Sequence, residues 1–447
     1  MPTPLPPPPT GWEPKHEKEY PPFSSQGRPA MKIAVFGAGI IGVSSAWWLA
    51  RAGHEVEVIE RRPGAALETS RANGGQISVC YAEPWASAHT LRKVLRWIGR
   101  SDAPLRVSPR LDPRQWLWCA RFLNECRGSR FTANLRAMVT LAQYSRATLR
   151  ELRSDLGIEY DHLERGILAF YRDPREFEHA RASAAQMREL GVERRIVDAA
   201  EVLRIEPALA AARDPIIGGD FTADDESGDV HLFTRALAER ARAAGVVFRY
   251  GTRVNRLVPV DGRVSVAELI EPDGYFRPLQ ADAYVLALGS FTPELTAPLG
   301  LSCPVWPAKG YSATFRLKDP EAAPMVSLVD QEGKIVFSRL GDQLRMAGTA
   351  EIGGYSRALD TGRCNRLVER ARALFPSALD FANVQFWSGL RPTTPSNVPL
   401  IGRTRIRNLY LNTGHGSLGW TMGAGSGRVL ADLVSGRTPD IDFPFLD

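Results

Sequence analysis

The chain predicts an α/β fold joined to an α+β one. A doubly wound nucleotide-binding domain, discontinuous in sequence, carries an inserted domain built on an antiparallel sheet plus helices. Three observations lead there. A strand, a glycine turn, a helix and a second strand follow one another between Lys32 and Glu60. A second Gly-rich strand–turn–helix closes the chain, with a strand at Leu409–Asn412 and a helix at Ala424–Leu433. Between them lies a mixed helical and β region that neither end resembles.

Each element has a local reason. Lys32–Phe36 is a short β-branched and aromatic run, as in a buried parallel strand. A helix from Ile41 to Arg51 is stopped by Gly53, and Glu55–Glu60 alternates around Val56, Val58 and Ile59 as the next strand. Pro63, Gly64, Asn73, Gly74 and Gly75 mark a long loop. From Thr90 to Leu190 helical spacing dominates, with Leu141, Tyr144, Thr148 and Leu149 on one face and a strand at Leu168–Tyr171. Leu232–Ala244 is a helix ended by Gly245, followed by strands at Val246–Phe248 and Ala283–Leu288. Ser312–Arg316, Lys334–Ser338 and Leu344–Ala347 are strands of an antiparallel sheet, and Asn365–Leu374 is a helix stopped before Pro376. No internal repeat is visible. The expected division is a disordered extension at residues 1–30, where Pro4 and Pro6 to Pro9 leave no core-forming pattern. Residues 31–89, 213–302 and 395–447 form the Rossmann-like nucleotide-binding domain, and 90–212 with 303–394 the substrate-binding domain.

Composition excludes several classes. No run of about 18 apolar residues is free of charge, so no helix is expected to span a bilayer. The five cysteines form no C-x-x-C pair, so neither a disulfide framework nor a zinc site is expected, and no metal is assigned. The net charge of +6 is modest, but it is unevenly spread. Between Arg92 and Arg130 ten Lys or Arg face three acids, and Trp85, Trp97, Trp116 and Trp118 lie in or beside that segment. Two readings stand: a solvated, ion-paired face, or attachment to an anionic membrane surface with Trp at the interface. No recognition motif accompanies the charge, so nucleic acid is not an expected partner. The expected location is the cytoplasm or the inner face of its membrane.

The sequence Gly37-Ala38-Gly39-Ile40-Ile41-Gly42 matches G-x-G-x-x-G. The first glycine turns the chain off the strand, the second lets backbone approach a pyrophosphate, and the third lets the helix pack on the sheet. Glu60 ends the next strand, where its carboxylate can accept both ribose hydroxyls of an adenosine and repel a 2′-phosphate. This specifies a dinucleotide and does not choose between FAD and NAD. Two polar clusters do: Thr69-Ser70-Arg71-Ala72-Asn73-Gly74-Gly75, and Thr413-Gly414-His415-Gly416-Ser417-Leu418-Gly419-Trp420-Thr421-Met422. One long cofactor gripped at both ends, FAD, fits both.

The block from Pro63 to Ser70 with Asn73, Gly75 and Gln76 resembles the bacterial D-amino-acid dehydrogenases, small (flavin) subunit. So do Trp387–Pro395, Asn412–Met422, Lys309-Gly310-Tyr311-Ser312 and Ser435–Pro439. The similarity runs from about Met31 to Pro439. The superfamily is that of D-amino-acid, glycine and sarcosine oxidases. Small departures at Asn73–Gly75 and Ser78–Tyr81 bear on the substrate rather than the class. The resemblance implies FAD-dependent oxidation of a D-amino acid, D-alanine-like, to an imino acid that water hydrolyses to a 2-oxo acid and ammonia. It implies a quinone or another electron acceptor. It adds Ile41, Arg61, Val254 and Gly289 to the cofactor contacts. Arg391 matches the carboxylate-binding arginine, and its planar fork suits that group. Tyr311 is expected to donate to the same carboxylate and His415 to polarise the ring or the amine, each beside a purely structural alternative. An oxidase using oxygen and a dehydrogenase of secondary amines (proline, hydroxyproline, sarcosine) remain alternatives, with a non-catalytic nucleotide-binding protein a distant third. Cys303 is the one candidate for covalent flavin attachment.

Overall fold

The computed structural model describes residues 29–91 and 105–447. The expected N-terminal extension, except residues 29 and 30, lies outside them, as does the first part of the basic segment with Trp97.

A six-stranded sheet opens the fold. Its order is Leu400–Arg403, Leu409–Thr413, Ala283–Leu286, Lys32–Phe36, Glu55–Glu60 and Val247–Tyr250. All neighbours are parallel except the Leu400–Arg403 edge. Parallel strands are covered on both faces, so these read as near-continuous apolar runs. On one face the helix Ile40–Arg51 packs beside Gly419–Val434, and the long helix Gly128–Leu156 packs beside the latter. Glycines permit that closeness. A Cβ at Gly423 would meet Ile40 at 2.8 Å, and one at Gly425 would meet the Ser145 backbone at 2.7 Å. The other face carries the antiparallel strands Arg253–Val260, Arg263–Ile270 and Phe276–Leu279, closing a core with Phe36, Tyr284 and Leu411.

A nine-stranded sheet forms the second layer. It runs Gln385–Thr393, Trp306–Arg316, Gln343–Ile352, Ile335–Leu340, Ser327–Asp330, Ile167–Tyr171, Gly218–Thr222 and Arg195–Asp198, with Leu105–Val107 pairing beside Gln343–Ile352. The helix Thr361–Leu374 covers one face through Leu367, Ala371 and Leu374. Pro392 is tolerated because Gln385–Thr393 is an edge strand.

Hydrogen bonding shifts two expected boundaries. Gly218–Thr222 pairs with Ile167–Tyr171 and Arg195–Asp198, so the stretch from 213 to 222 goes with the nine-stranded sheet rather than the nucleotide layer. The helix Gly128–Leu156 does the reverse: it shares the core of the nucleotide layer with Trp47, Leu237 and Leu430. Both exchanges are long-range pairings without a local signature. Among the described residues no helix is long and apolar enough to cross a membrane.

Candidate active site

One large cavity, about 1100 Å³, lies between the two layers and is lined by both. Typical small-molecule sites occupy about 300–1,000 Å³, so this one has room for a dinucleotide beside a second small molecule.

At one end lie Gly37, Gly39, Ile40 and Ile41. Gly37 has φ +104°, and a Cβ there would stand 2.6 Å from the Ala287 carbonyl. Only glycine meets both conditions. The N-termini of two helices face the cavity with no side-chain cap from the residue before them: Ile40–Arg51, preceded by Gly39, and Gly419–Val434, preceded by Leu418. Five other helices are capped by aspartates, at Asp112, Asp173, Asp198, Asp229 and Asp360. Uncapped first turns leave N–H groups and a partial positive charge available to an anion. Ser70 Oγ accepts from Ile40 N at 3.2 Å and keeps its own hydrogen to donate. Glu60 accepts from Ala38 N and Arg62 N, each at 2.8 Å, one on each carboxylate oxygen. Each oxygen retains a lone pair for a ribose hydroxyl. Burial, the largest influence, raises its pKa against those backbone bonds. This donor and acceptor set fits the pyrophosphate and adenosine of FAD.

The remaining cofactor candidates divide. Glu60, Arg61, Thr69, Ser70, Asn73, Gly74, Gly75, Val254, Gly289, Gly416, Leu418, Gly419 and Trp420 line the cavity with Gly37, Gly39 and Ile41. Arg61 lies over the Phe291 ring, 3.9 Å from its centre, and pairs with Glu68, which also holds Arg62 and Arg357. Asn73 Oδ1 accepts from Gly75 N, and Ser338 Oγ donates to the Gly74 carbonyl, so this loop is pinned to the nine-stranded sheet. Gly42, Gly414 and Thr421 do not line the cavity, which corrects the expectation for them. A Cβ on Gly42 would fall on the Gly37 carbonyl, so this glycine serves helix-to-turn packing. Gly414 turns the chain at φ +84° beside Thr394. Thr421 accepts from Ser78 N at 3.0 Å. The last helix begins at Gly419 rather than Ala424, placing Thr421 inside its first turn.

Arg391 stands at the cavity's other end. Its guanidinium lies on Gly310, where any Cβ would collide with it. Nη1 donates to the Thr349 carbonyl at 2.9 Å. No carboxylate pairs with it among the described residues, and it is half-buried, facing the cavity. Burial lowers its pKa to about 10, still well above neutrality, so it keeps its charge. Even a half-buried, charged guanidinium without a counter-ion is costly. A cavity that admits a carboxylate accounts for it. The supporting backbone is held tightly. The Leu390 carbonyl receives Thr69 Oγ1 at 3.0 Å and Ser290 Oγ at 3.2 Å. The Pro392 carbonyl receives Gly416 N at 2.8 Å, and the Thr393 carbonyl Trp118 Nε1 at 2.8 Å. Thr349 holds its carbonyl in place at φ +59°, a strained conformation for a β-branched residue.

Tyr311 lines the cavity, but its side chain takes the structural alternative of the two that the sequence leaves open. Strand neighbours alternate faces. Gly310 carries the Arg391 side, whereas Tyr311 packs with Ala313 and Phe315 on the opposite one. Its hydroxyl donates to Glu351 at 3.2 Å, and burial raises its pKa. Tyr311→Phe is therefore expected to leave KM for a carboxylate substrate within about twofold, a change of less than roughly 0.5 kcal/mol. A tenfold rise in steady-state KM would return the hydroxyl to the site.

His415 lines the cavity, with Nε2 bonded to Ser426 Oγ at 2.8 Å and Nδ1 buried without a partner. Burial lowers its pKa to about 3 from the ordinary 6.5. It is neutral throughout the working range, so it polarises nothing by charge. Between those two pH values the unfolded chain binds a proton that the folded chain refuses, so stability is lost as pH falls from about 6.5 toward 3. His415→Gln should make the fall of Tm between pH 6.5 and 4 shallower than in the wild type. An unchanged slope in thermal melts would show that the ring titrates freely.

Cys303 does not line the cavity, and burial pushes its thiol up to about 12, so it is not placed for flavin attachment. The sequence reading missed Gly310 and Thr349 as the seat of Arg391, and Trp118 as an anchor of its strand. Gly310 sits in a quoted motif, and strand alternation would have distinguished it from Tyr311 had the pairing to Arg391 been known. No group of three or more His, Cys, Asp or Glu suited to a metal occurs among the described residues.

A dinucleotide cradle facing an arginine without a carboxylate partner across one cavity defines a cofactor-dependent enzyme acting on a small carboxylate. The family model described as FAD dependent oxidoreductase matches residues 32–433, and the chain belongs to that family. It is 54% identical over 416 residues to the D-amino acid dehydrogenase of Dechloromonas aromatica (strain RCB), covering 93% of this chain and 100% of that protein. The D-amino acid dehydrogenase of Paramagnetospirillum magneticum (strain ATCC 700264 / AMB-1) is 53% identical, covering 91% of this chain and 96% of that one. Among solved structures, glycine oxidase from Geobacillus kaustophilus superposes with TM-score 0.71 at 23% identity, covering 92% and 96% of the two chains. L-proline dehydrogenase from P. horikoshii does so with TM-score 0.67 at 18% identity, covering 92% and 94%. These two likenesses concern the fold alone.

Proposed function

We propose that the chain oxidises D-amino acids, D-alanine-like in size, to imino acids that water converts to 2-oxo acids and ammonia. The observation that carries this is Arg391, charged, half-buried and without a counter-ion, in the cavity that also holds the glycine turn. The names of the similar dehydrogenases support D-amino acids as substrates.

In this reading Gly37, Gly39, Ile41, Glu60, Ser70 and the Gly416–Trp420 turn hold FAD, which when bound accepts a hydride from Cα. Arg391 grips both carboxylate oxygens in the plane of its guanidinium. Gly310 beneath it and the Thr349 carbonyl beside it keep that plane fixed. Orientation then carries much of the rate, because the amine need only bind in its neutral form. Neutral His415 does not compete with Arg391 for the substrate carboxylate.

The reading extends to a quinone as electron acceptor at an anionic membrane. Its support is the Pro113–Glu125 helix, whose Trp116, Leu117 and Leu123 are exposed beside arginines 106, 110, 114 and 127. Purified protein should bind anionic vesicles at low salt and release them at high salt, where screening removes the attraction. The enzymatic reading is tested by product analysis. With a dye acceptor, one 2-oxo acid and one ammonia per D-alanine consumed are expected. Dye reduction without ammonia would exclude deamination.

A further inference from the structure

The face of the nine-stranded sheet that seats Arg391 continues past the carboxylate end of the cavity. Register fixes which residues lie along it. Tyr311, Gly348, Ile335 and Asp330 pair in a row across neighbouring strands, and Tyr311 and Ile335 turn into the core on the opposite face. The next row, one residue along each strand, therefore faces the cavity. It consists of Gly310, Thr349, Lys334 and Gln331, and all of them line the cavity. Strand spacing puts Gln331 about 14 Å from Gly310, which lies beneath the Arg391 guanidinium. Ala347, Val336 and Val329 make an apolar floor between the two ends.

The far end is polar, and its hydrogen bonds run in one sense. Lys334 Nζ donates to Gln331 Oε1 at 2.8 Å, and Gln331 Nε2 donates to the Tyr81 hydroxyl at 2.8 Å. An ammonium cannot accept, so the amide oxygen must face Lys334 and the amide nitrogen Tyr81. The Tyr81 oxygen then accepts from Gln331 and keeps its own hydrogen to donate. Tyr81 lines the cavity, half-buried, with the Arg194 guanidinium 5.5 Å from its ring centre. A donor at the end of an apolar floor asks for an oxygen acceptor on a short hydrocarbon arm. An amino acid with its carboxylate on Arg391 and an oxygen on its Cδ, hydrogen-bonded at each end, bridges about 12 Å. That is the reach of glutamine and glutamate, whereas the methyl of alanine ends on the floor. We propose that Tyr81, oriented by Gln331, selects D-amino acids whose side chain ends in a carboxamide or carboxylate oxygen at glutamine length. The inference rests on the D-amino-acid reading above and adds a side-chain preference to it. Tyr81 closes the Ser78–Tyr81 segment, where the sequence departs from the family it resembles.

The test uses FAD-loaded enzyme with a dye acceptor and four substrates: D-glutamine, D-glutamate, D-norleucine and D-alanine. D-Norleucine has the matching length without the oxygen. In the wild type kcat/KM for the better of D-glutamine and D-glutamate should exceed that for D-norleucine at least about tenfold, because a site built to hydrogen-bond a group rejects the analogue lacking it. Tyr81→Phe removes only the hydroxyl and should bring that ratio within about threefold of unity. Calorimetry on the oxidised holoenzyme needs no turnover. Glutarate or glutaramate should bind at least about tenfold tighter than hexanoate, and Tyr81→Phe should abolish the difference. Whichever of the two binds tighter identifies the end group as carboxylate or carboxamide. Equal Kd for all three acids in the wild type, or full discrimination retained in Tyr81→Phe, would overturn the proposal. If no D-amino acid reduces the dye, the dehydrogenase reading fails, and the calorimetry still decides what the far end recognises. If D-alanine reduces it while the three longer substrates turn over alike, that reading stands and the side-chain preference fails.

Discussion

Arg391→Leu is expected to purify yellow and folded yet lose at least about 100-fold in kcat/KM for D-alanine. Two charge-assisted hydrogen bonds are removed, each worth about 1.5–3 kcal/mol, and every 1.4 kcal/mol is about tenfold. The loss should fall mainly on KM, since the carboxylate is bound in the ground state and the transition state alike. Arg391→Lys should fall between the two. It restores the charge but not the planar fork, and the Thr349 carbonyl would draw its ammonium off the carboxylate axis. Folding should not suffer in the leucine variant, because an uncompensated, half-buried charge is deleted and Gly310 beneath it makes no other demand. Melting curves and flavin content, measured beside the kinetics, check this. Unchanged kcat/KM in Arg391→Leu would remove the residue from the substrate site. A colourless product would make it a structural residue.

Gly37→Ala should act at the other end of the cavity and in the opposite sense. The added Cβ meets the Ala287 carbonyl, and the position demands a φ of +104°. A positive φ costs about 1–2 kcal/mol in an L-residue and overpacking about 1–3. The expected outcome is protein with a lowered Tm and little bound FAD, whose residual activity tracks its flavin content. KM for D-alanine in the loaded fraction should match the wild type. Full flavin occupancy at wild-type Tm would mean that the turn tolerates a side chain and that the cradle lies elsewhere.

The two predictions bracket what could be read from the chain. The nucleotide end is local: strand, turn, helix and acid succeed one another between Lys32 and Glu60, so spacing alone places them in one site. The substrate end is assembled from distance. Thr69 and Ser290 grip the Leu390 carbonyl across 321 and 100 residues, and Trp118 reaches Thr393 across 275. Resemblance located Arg391, but nothing in sequence spacing gives the register that seats it on Gly310. Tyr311 shows the same limit from the other side. It is adjacent to Gly310 in sequence, and strand alternation sends it to the opposite face. Gly414 and Thr421 share one stretch with true lining residues, because composition marks a Gly-rich stretch without saying where its helix begins. Strands such as Arg253–Val260 and Gly218–Thr222 carry too little alternation to stand out, and long-range partners define them.

The Pro113–Glu125 helix stands out in the sequence only as an excess of arginine and tryptophan. Its meaning comes from the fold. Trp118 turns inward to the site while Trp116 stays in solvent, two residues apart on one helix. Charge counting registers both alike.

The central claim is that one cavity holds FAD and a D-amino acid, the acid fixed by Arg391. Anaerobic mixing of the yellow holoenzyme with D-alanine, and separately with L-alanine, tests it most directly by absorbance of the flavin. Rapid and complete bleaching by D-alanine, with none by L-alanine on the same timescale and none by D-alanine in Arg391→Leu at equal concentration, is the expected result. Flavin that stays oxidised with every D-amino acid tried, or that bleaches equally well with L-alanine, would contradict it.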